Sequence, residues 1–157
     1  LVLTTTNGTR LLHMALERGA GRIITGAFAN LSAVCDYLIK ENQPVLLACA
    51  AWKGRVNMED MLFAGAVISR IRPHFSINCD SSQIAELCYQ QGKDDLFGFM
   101  KAQNASHYHR LTGFGLEKDI RYCLSPDQAN VLPLYGDGKL TIGTVKMAME
   151  DNSLPKS

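Results

Sequence analysis

The sequence has almost no excess of charge of either sign. Its 16 Lys and Arg against 15 Asp and Glu leave a formal net charge of +1. No global field therefore draws the chain toward nucleic acid or an anionic membrane. An aromatic-basic patch of the nucleic-acid type is also missing, and no apolar run is long enough to span a bilayer. The five cysteines, Cys35, Cys49, Cys79, Cys88 and Cys123, form no CxxC pair, and their number is odd. They read as small hydrophobes in a reducing compartment rather than as a disulfide framework. The P-loop GxxxxGK[ST], the GxSxG elbow, HExxH and the dinucleotide fingerprint are all absent, as are repeats and low-complexity tracts. The expectation is a soluble, cytoplasmic domain in which any anion specificity is local.

What is present suits one domain. A chain of 157 residues, 46% hydrophobic and 20% charged, can bury a core without disulfide or metal staples. It starts at Leu1 rather than Met, already inside the apolar, strand-like run Leu1-Val2-Leu3. Domains seldom begin inside a strand, so an N-terminal part is expected to precede it.

Periodicity predicts alternating elements in the first half. A strand at Leu1 to Leu3 leads through Asn7-Gly8 into a helix over 10–18, with Leu11, Leu12, Ala15 and Leu16 on one face. A short strand over Arg22 to Thr25 and a helix over Asn30 to Lys40 come next. The continuous apolar run Val45 to Ala50 has the pattern of a strand buried on both faces of a parallel sheet. A strong helix over 58–72 follows, with Pro73 beyond its end. This order predicts an α/β fold, a three-layer α/β/α arrangement around a largely parallel sheet. The second half is expected to be helical, over 80–91 with Asp80 as cap, 94–103, from Ser106 to near Gly113, and 116–123. A β-hairpin then pairs Val131 to Tyr135 with Lys139 to Ile142. The domain is read as 1–142, with a loose polar tail over 143–157.

Three segments could carry chemistry. In Thr4 to Arg10, hydroxyls and an Asn-Gly turn stand where a strand ends and a helix begins, the edge at which parallel sheets bind ligands. Free backbone N–H groups and the helix dipole favour an anion there. Thr5, Thr6, Asn7, Gly8 and Thr9 would line that cradle, Gly8 allowing close backbone approach, with Arg10 adding a bidentate contact. The bland reading is helix capping. Gly26 to Asn30 is the next such turn, where Asn30 either caps a helix or touches a ligand. In the third segment, Lys53 and Arg55 suit an anionic substrate, and Glu59-Asp60 suits a hard cation such as Mg²⁺. Acidic residues are favoured in a first helical turn by the dipole alone. Neighbours on a helix also diverge by about 100°, so one of the two, Glu59, is the preferred direct ligand. His13, His74, His107 and His109 lack zinc spacing and read as surface or packing residues.

The blocks Leu3 to Arg10, Gly26 to Asn30, and Cys49-Ala50 through Glu59-Asp60 to Ala64-Gly65 resemble the 2-phosphosulfolactate phosphatase (ComB) family. So do Ser106-His107, Leu111, Gly115, Asp119-Ile120, Cys123 and Val131-Leu132-Pro133. The resemblance runs from Leu1 to about Ile142. It implies a Mg²⁺-dependent phosphoric monoester hydrolase that converts 2-phosphosulfolactate to sulfolactate and phosphate, a step toward coenzyme M, or cleaves a related phosphate monoester. In that case the 1–142 domain is the C-terminal portion of the family fold, whose upstream half carries Asp-Val-Leu-Arg-like and Gly-Asn-Ser-Pro-like segments not found here. The family pattern also has Gly where this chain has Ala51. The catalytic nucleophile or acid is not identified by these residues, and the reading leaves a homo-oligomer open. The rival reading is a non-catalytic anion- or phosphometabolite-binding module.

Overall fold

The computed structural model describes residues 6–142. The strand expected at Leu1 to Leu3, together with Thr4, Thr5 and the tail over 143–157, lies outside the described residues. Among those described, seven α-helices precede one antiparallel hairpin. They are α1 (Thr6–Glu17), α2 (Leu31–Glu41), α3 (Met58–Ile71), α4 (Asp80–Gly92), α5 (Leu96–Ala102), α6 (Ser106–Thr112) and α7 (Glu117–Leu124). A 3₁₀ turn, Phe28–Asn30, leads into α2, and β1 (Pro133–Gly136) pairs with β2 (Lys139–Ile142). No described helix is long and apolar enough to cross a membrane.

The helix α3 is the centre of the molecule because it is apolar nearly all round. Leu62, Ala64, Gly65, Ala66, Val67, Ile68 and Ile71 are all buried, and a helix with apolar residues on every side is driven to the interior. It packs on α4 along one side and on α2 along another. The core continues through Phe28, Leu31, Val34, Cys35 and Leu38 to Met100, Tyr108, Ile120, Leu124 and Leu132. Phe28 meets Phe63 edge to face, with ring centroids 5.6 Å apart. Outside the core, Arg72 on α3 holds Glu86 on α4 in a forked, exposed ion pair, a contact that adds little to stability. Asp127 accepts from the Ser32 backbone N–H and hydroxyl, each at 2.7 Å, and so satisfies an open donor in the first turn of α2.

The expected three-layer α/β/α arrangement with a largely parallel sheet is overturned. The β structure described is a two-stranded antiparallel sheet with Pro133 opposite Ile142 and Gly136 opposite Lys139. Arg22 to Thr25 forms no parallel strand. Ile24 bridges Leu134 antiparallel, the Thr25 N–H donates to the Pro133 carbonyl at 3.1 Å, and the Tyr135 N–H donates to the Ile23 carbonyl at 2.9 Å. The segment expected to be the buried central strand, Val45 to Ala50, has no ladder partner among the described residues, and Leu46 is 89% exposed. Apolar, β-favouring residues make a segment extended, but only a neighbouring segment can make it a strand. The first helix also starts at Thr6 rather than Arg10, so Asn7, Gly8 and Thr9 are helical residues and not a preceding turn. Asp80 is the first residue of α4 rather than its cap; Cys79 stands at the N-cap position and makes no side-chain capping bond. The remaining helices and the hairpin fall close to their expected positions.

The close approach of α3 and α4 rests on Gly65. A Cβ there would lie 2.0 Å from the Ala85 carbonyl oxygen and 2.7 Å from Tyr89 Cβ. The first of these is backbone and cannot rotate away. Gly65→Ala is expected to push the two helices apart at a cost of about 3 kcal/mol, measured as a lower urea midpoint with an unchanged slope.

Candidate functional site

The site is organised around one residue, Ala51, whose two backbone polar groups are both taken by side chains. Its carbonyl accepts from the Asn7 side-chain amide, in the first turn of α1, at 2.7 Å. Its N–H donates to Asp60 Oδ2, in the first turn of α3, at 2.8 Å. Two helix beginnings are thereby pinned to one loop, although 44 residues separate Asn7 from Ala51. Ala51 has φ of 61°, in the left-handed region. That region is open to Gly and costs an Ala about 1 kcal/mol, which gives a physical reason for Gly at this place in the family pattern.

A tight reversal follows immediately. Trp52 and Arg55 exchange both backbone hydrogen bonds, at 3.0 and 2.9 Å, around Lys53 and Gly54. Both central residues have positive φ, 50° and 71°, the signature of a type I′ turn. The turn throws Lys53 and Arg55 outward into solvent, and the Lys53 ammonium lies 4.5 Å from the centroid of the Trp52 ring. The Arg110 guanidinium, arriving from α6, lies 4.8 Å from the same centroid.

Glu59, beside Asp60, points elsewhere. Its Oε1 is bonded to His107 Nδ1 on α6, and the two side chains are 24% and 25% exposed. Arg110, one turn further along α6, contacts His107 Nε2. A guanidinium can only donate, so Nε2 accepts and the Nδ1–H is the donor to Glu59. Glu59 Oε2 is buried with no hydrogen-bond partner. An orphaned carboxylate oxygen is costly, and it marks where a cation or a donor fits. Beside this pair opens a cavity of 270 Å³ lined by apolar groups such as Met100, Tyr108, Leu111 and Leu116, with Glu59 and Asp119 also at its wall. No cation lines it, so it suits the carbon part of a ligand better than an anionic group.

The residues singled out from sequence are distributed as follows. Asn7, Lys53, Arg55 and Asp60 are gathered around the Ala51 loop, while Glu59 is turned toward His107 on α6. Arg10 is exposed one turn along α1 from Asn7, Gly8 and Thr9 lie between them in the helix, and Thr6 is its first residue. Thr5 lies outside the described residues. Asn30 stands apart: it is buried, its Oδ1 accepts from the Ala27 N–H at 2.8 Å, and its Nδ2 donates to the carbonyls of Thr25 and Val131. Its amide is spent on tying the chain together. Sequence reasoning missed Trp52, Arg110 and the role of His107, which it read as a surface or packing histidine. The available signal was His107 and Arg110 three residues apart on one helical face. Cys49, two residues before Ala51, is raised above the ordinary thiol range by burial and by Asp60, which disfavours a thiolate nucleophile there. Among the described residues no group of three or more His, Cys, Asp and Glu is placed to hold a metal.

A model of the 2-phosphosulpholactate phosphatase family matches residues 1–138. The chain belongs to this family. A relative from Thermotoga petrophila, named "Probable 2-phosphosulfolactate phosphatase", is 36% identical over 138 residues, covering 88% of this chain and 57% of the relative. Relatives of the same name from Clostridium beijerinckii and a Synechococcus strain are 33% and 37% identical, over 90% and 85% of this chain. The match takes in 58% and 55% of those two proteins. The chain thus spans little more than half the length of the family members it matches.

The left-handed Ala51 gives a direct test of the loop's geometry. Ala51→Gly is expected to stabilise the protein by about 1 kcal/mol, by relieving the Cβ contact at positive φ. A rise in Tm of about 2–4 °C would accompany it, read by thermal unfolding.

Proposed function

We propose that this chain supplies the anion-holding and metal-facing part of a phosphoric monoester hydrolase. The substrate is a small phosphorylated acid, 2-phosphosulfolactate or a related monoester. The observation that carries the reading is the double pinning of Ala51 by Asn7 and Asp60. It brings the start of α1, the Lys53–Arg55 turn and Asp60 at the start of α3 together, in a chain whose family is named for this reaction. The near-neutral net charge supports a small-molecule partner rather than nucleic acid or a membrane.

Hydrolysis of a phosphate monoester joins a water oxygen to phosphorus and breaks the bond from phosphorus to the ester oxygen. The water gives up a proton, and the departing alkoxide takes one. Catalysis of such a transfer is mainly positioning and neutralisation of charge. Lys53 and Arg55, exposed on the turn, attract and orient the anion. Arg10 and the positive end of the α1 dipole add positive character to the same region. A divalent cation of the Mg²⁺ kind fits the donors present, because Mg²⁺ keeps several waters and needs only one or two carboxylates. Glu59, through its unpartnered Oε2, would hold it. Asp60, with one oxygen committed to the Ala51 N–H, would contribute through its other oxygen or through a water. When bound, the ion would polarise a phosphoryl oxygen.

A non-catalytic module that binds a phosphometabolite is the second reading. It is favoured by the absence, among the described residues, of a cluster with three or more ligating side chains. Phosphate release from 2-phosphosulfolactate and from a panel of monoesters, with and without Mg²⁺, separates the two. In the intact gene product Glu59→Gln is expected to lower Mg²⁺-dependent turnover at least ~100-fold. Unchanged turnover with unchanged metal dependence would remove Glu59 from the reaction. Saturable binding without turnover by the wild type would favour the module.

A further inference from the structure

Two cations are gathered on one indole without a counter-charge. Lys53 Nζ and Arg110 Cζ lie 4.5 and 4.8 Å from the centroid of the Trp52 ring, one from the type I′ turn and the other from α6. Among the described residues neither has a carboxylate at ion-pair distance, whereas Arg22, Arg70 and Arg72 each do. Their positions are imposed from outside the pair. The turn that carries Lys53 is locked by the Trp52–Arg55 hydrogen bonds. Arg110 is held through His107 to Glu59. The ring rewards each cation by about 0.5–1 kcal/mol at an exposed site, but the two still repel each other, and a bound anion would relieve that repulsion.

We propose that Trp52, Lys53 and Arg110 form an oxyanion clamp, with the indole as platform and the two cations as the groups that grip a small tetrahedral oxyanion such as a phosphoryl or sulfonate group. This rests on the phosphatase reading above and deepens it by adding Arg110 as a substrate-binding residue. Arg110 supplies the planar, forked donor set that matches two oxygens at once, and Lys53 supplies a point charge. The apolar cavity next to His107 is left for the uncharged skeleton of the ligand. Arg110 is joined to Glu59 only through the His107 ring, which stands between the guanidinium and the carboxylate.

Trp52 is the one tryptophan of the sequence, which makes the clamp its own reporter. Inorganic phosphate and methanesulfonate are titrated separately while tryptophan emission is followed, with Trp52→Phe subtracted as the blank. A saturable change is expected for at least one of the two anions, and the tighter of them identifies the group the clamp prefers. Arg110→Met is expected to weaken that binding at least tenfold, Lys53→Met to weaken it as well, and Arg110→Lys to restore part of it. Arg110 is exposed, so these variants are expected to keep the wild-type Tm. Neither anion perturbing Trp52, or Arg110→Met titrating like the wild type, would overturn the clamp. Glu59→Gln serves as the separating control, because the Gln amide oxygen still accepts from the His107 Nδ1–H and so keeps Arg110 in place. If it loses turnover and keeps the emission response, reaction and clamp both stand. If Glu59→Gln turns over normally while Arg110→Met loses the response, the metal role fails and the clamp stands.

Discussion

The bond between Glu59 and His107 joins the start of α3 to α6 across 48 residues of chain. Glu59 sits in the first turn of α3, the most buried helix, and His107 sits in α6, one of the short helices that follow. Through this contact the orientation of α6 is fixed to the core, and with it the place of Arg110. Asp60, the next residue, performs the matching task in another direction by fixing Ala51 and hence the turn that bears Trp52 and Lys53. Two adjacent carboxylates on a helix diverge by about 100°. Here that divergence is used, one carboxylate organising the loop and the other organising a distant helix.

Such an arrangement places strain and unmet polar demand close together. Ala51 occupies a left-handed conformation, Glu59 Oε2 is buried without a partner, and two cations share one ring. Each is unfavourable by itself, and a stable fold built only for stability would remove all three. Their concentration within one loop and one helical turn is the pattern of a site whose polar groups are completed by a ligand.

The helices were legible in the sequence because each carries its own evidence. The apolar positions of α2 and α3 repeat with helical spacing, and Pro73 marks the end of α3. Lys139 to Ile142 follows a Gly-Asp-Gly turn that declares a hairpin. The parallel sheet was not legible, and the expectation of it came from treating Val45 to Ala50 as proof of neighbours it does not have among the described residues. Ile23 to Thr25 found its partners some 110 residues further along the chain, in Pro133 and Tyr135. A strand is defined by hydrogen bonds to another segment, so no local pattern can supply its pairing.

The sequence by itself determined the family, the helical segments and the chemical vocabulary of the site: amide, carboxylates, lysine and arginines in short ordered blocks. Those features depend on residue identity and spacing along one stretch of chain. Tertiary structure alone decided that Asn30 is committed to three backbone groups, that Asn7 and Asp60 meet on Ala51, and that His107 and Arg110 belong with Glu59 and Trp52. In each case the reason is the same. The deciding partners come from separate segments, Asn7 from α1, Glu59 and Asp60 from α3, His107 and Arg110 from α6 and Val131 from before the hairpin, and only the fold brings their short-range hydrogen bonds and charges within reach.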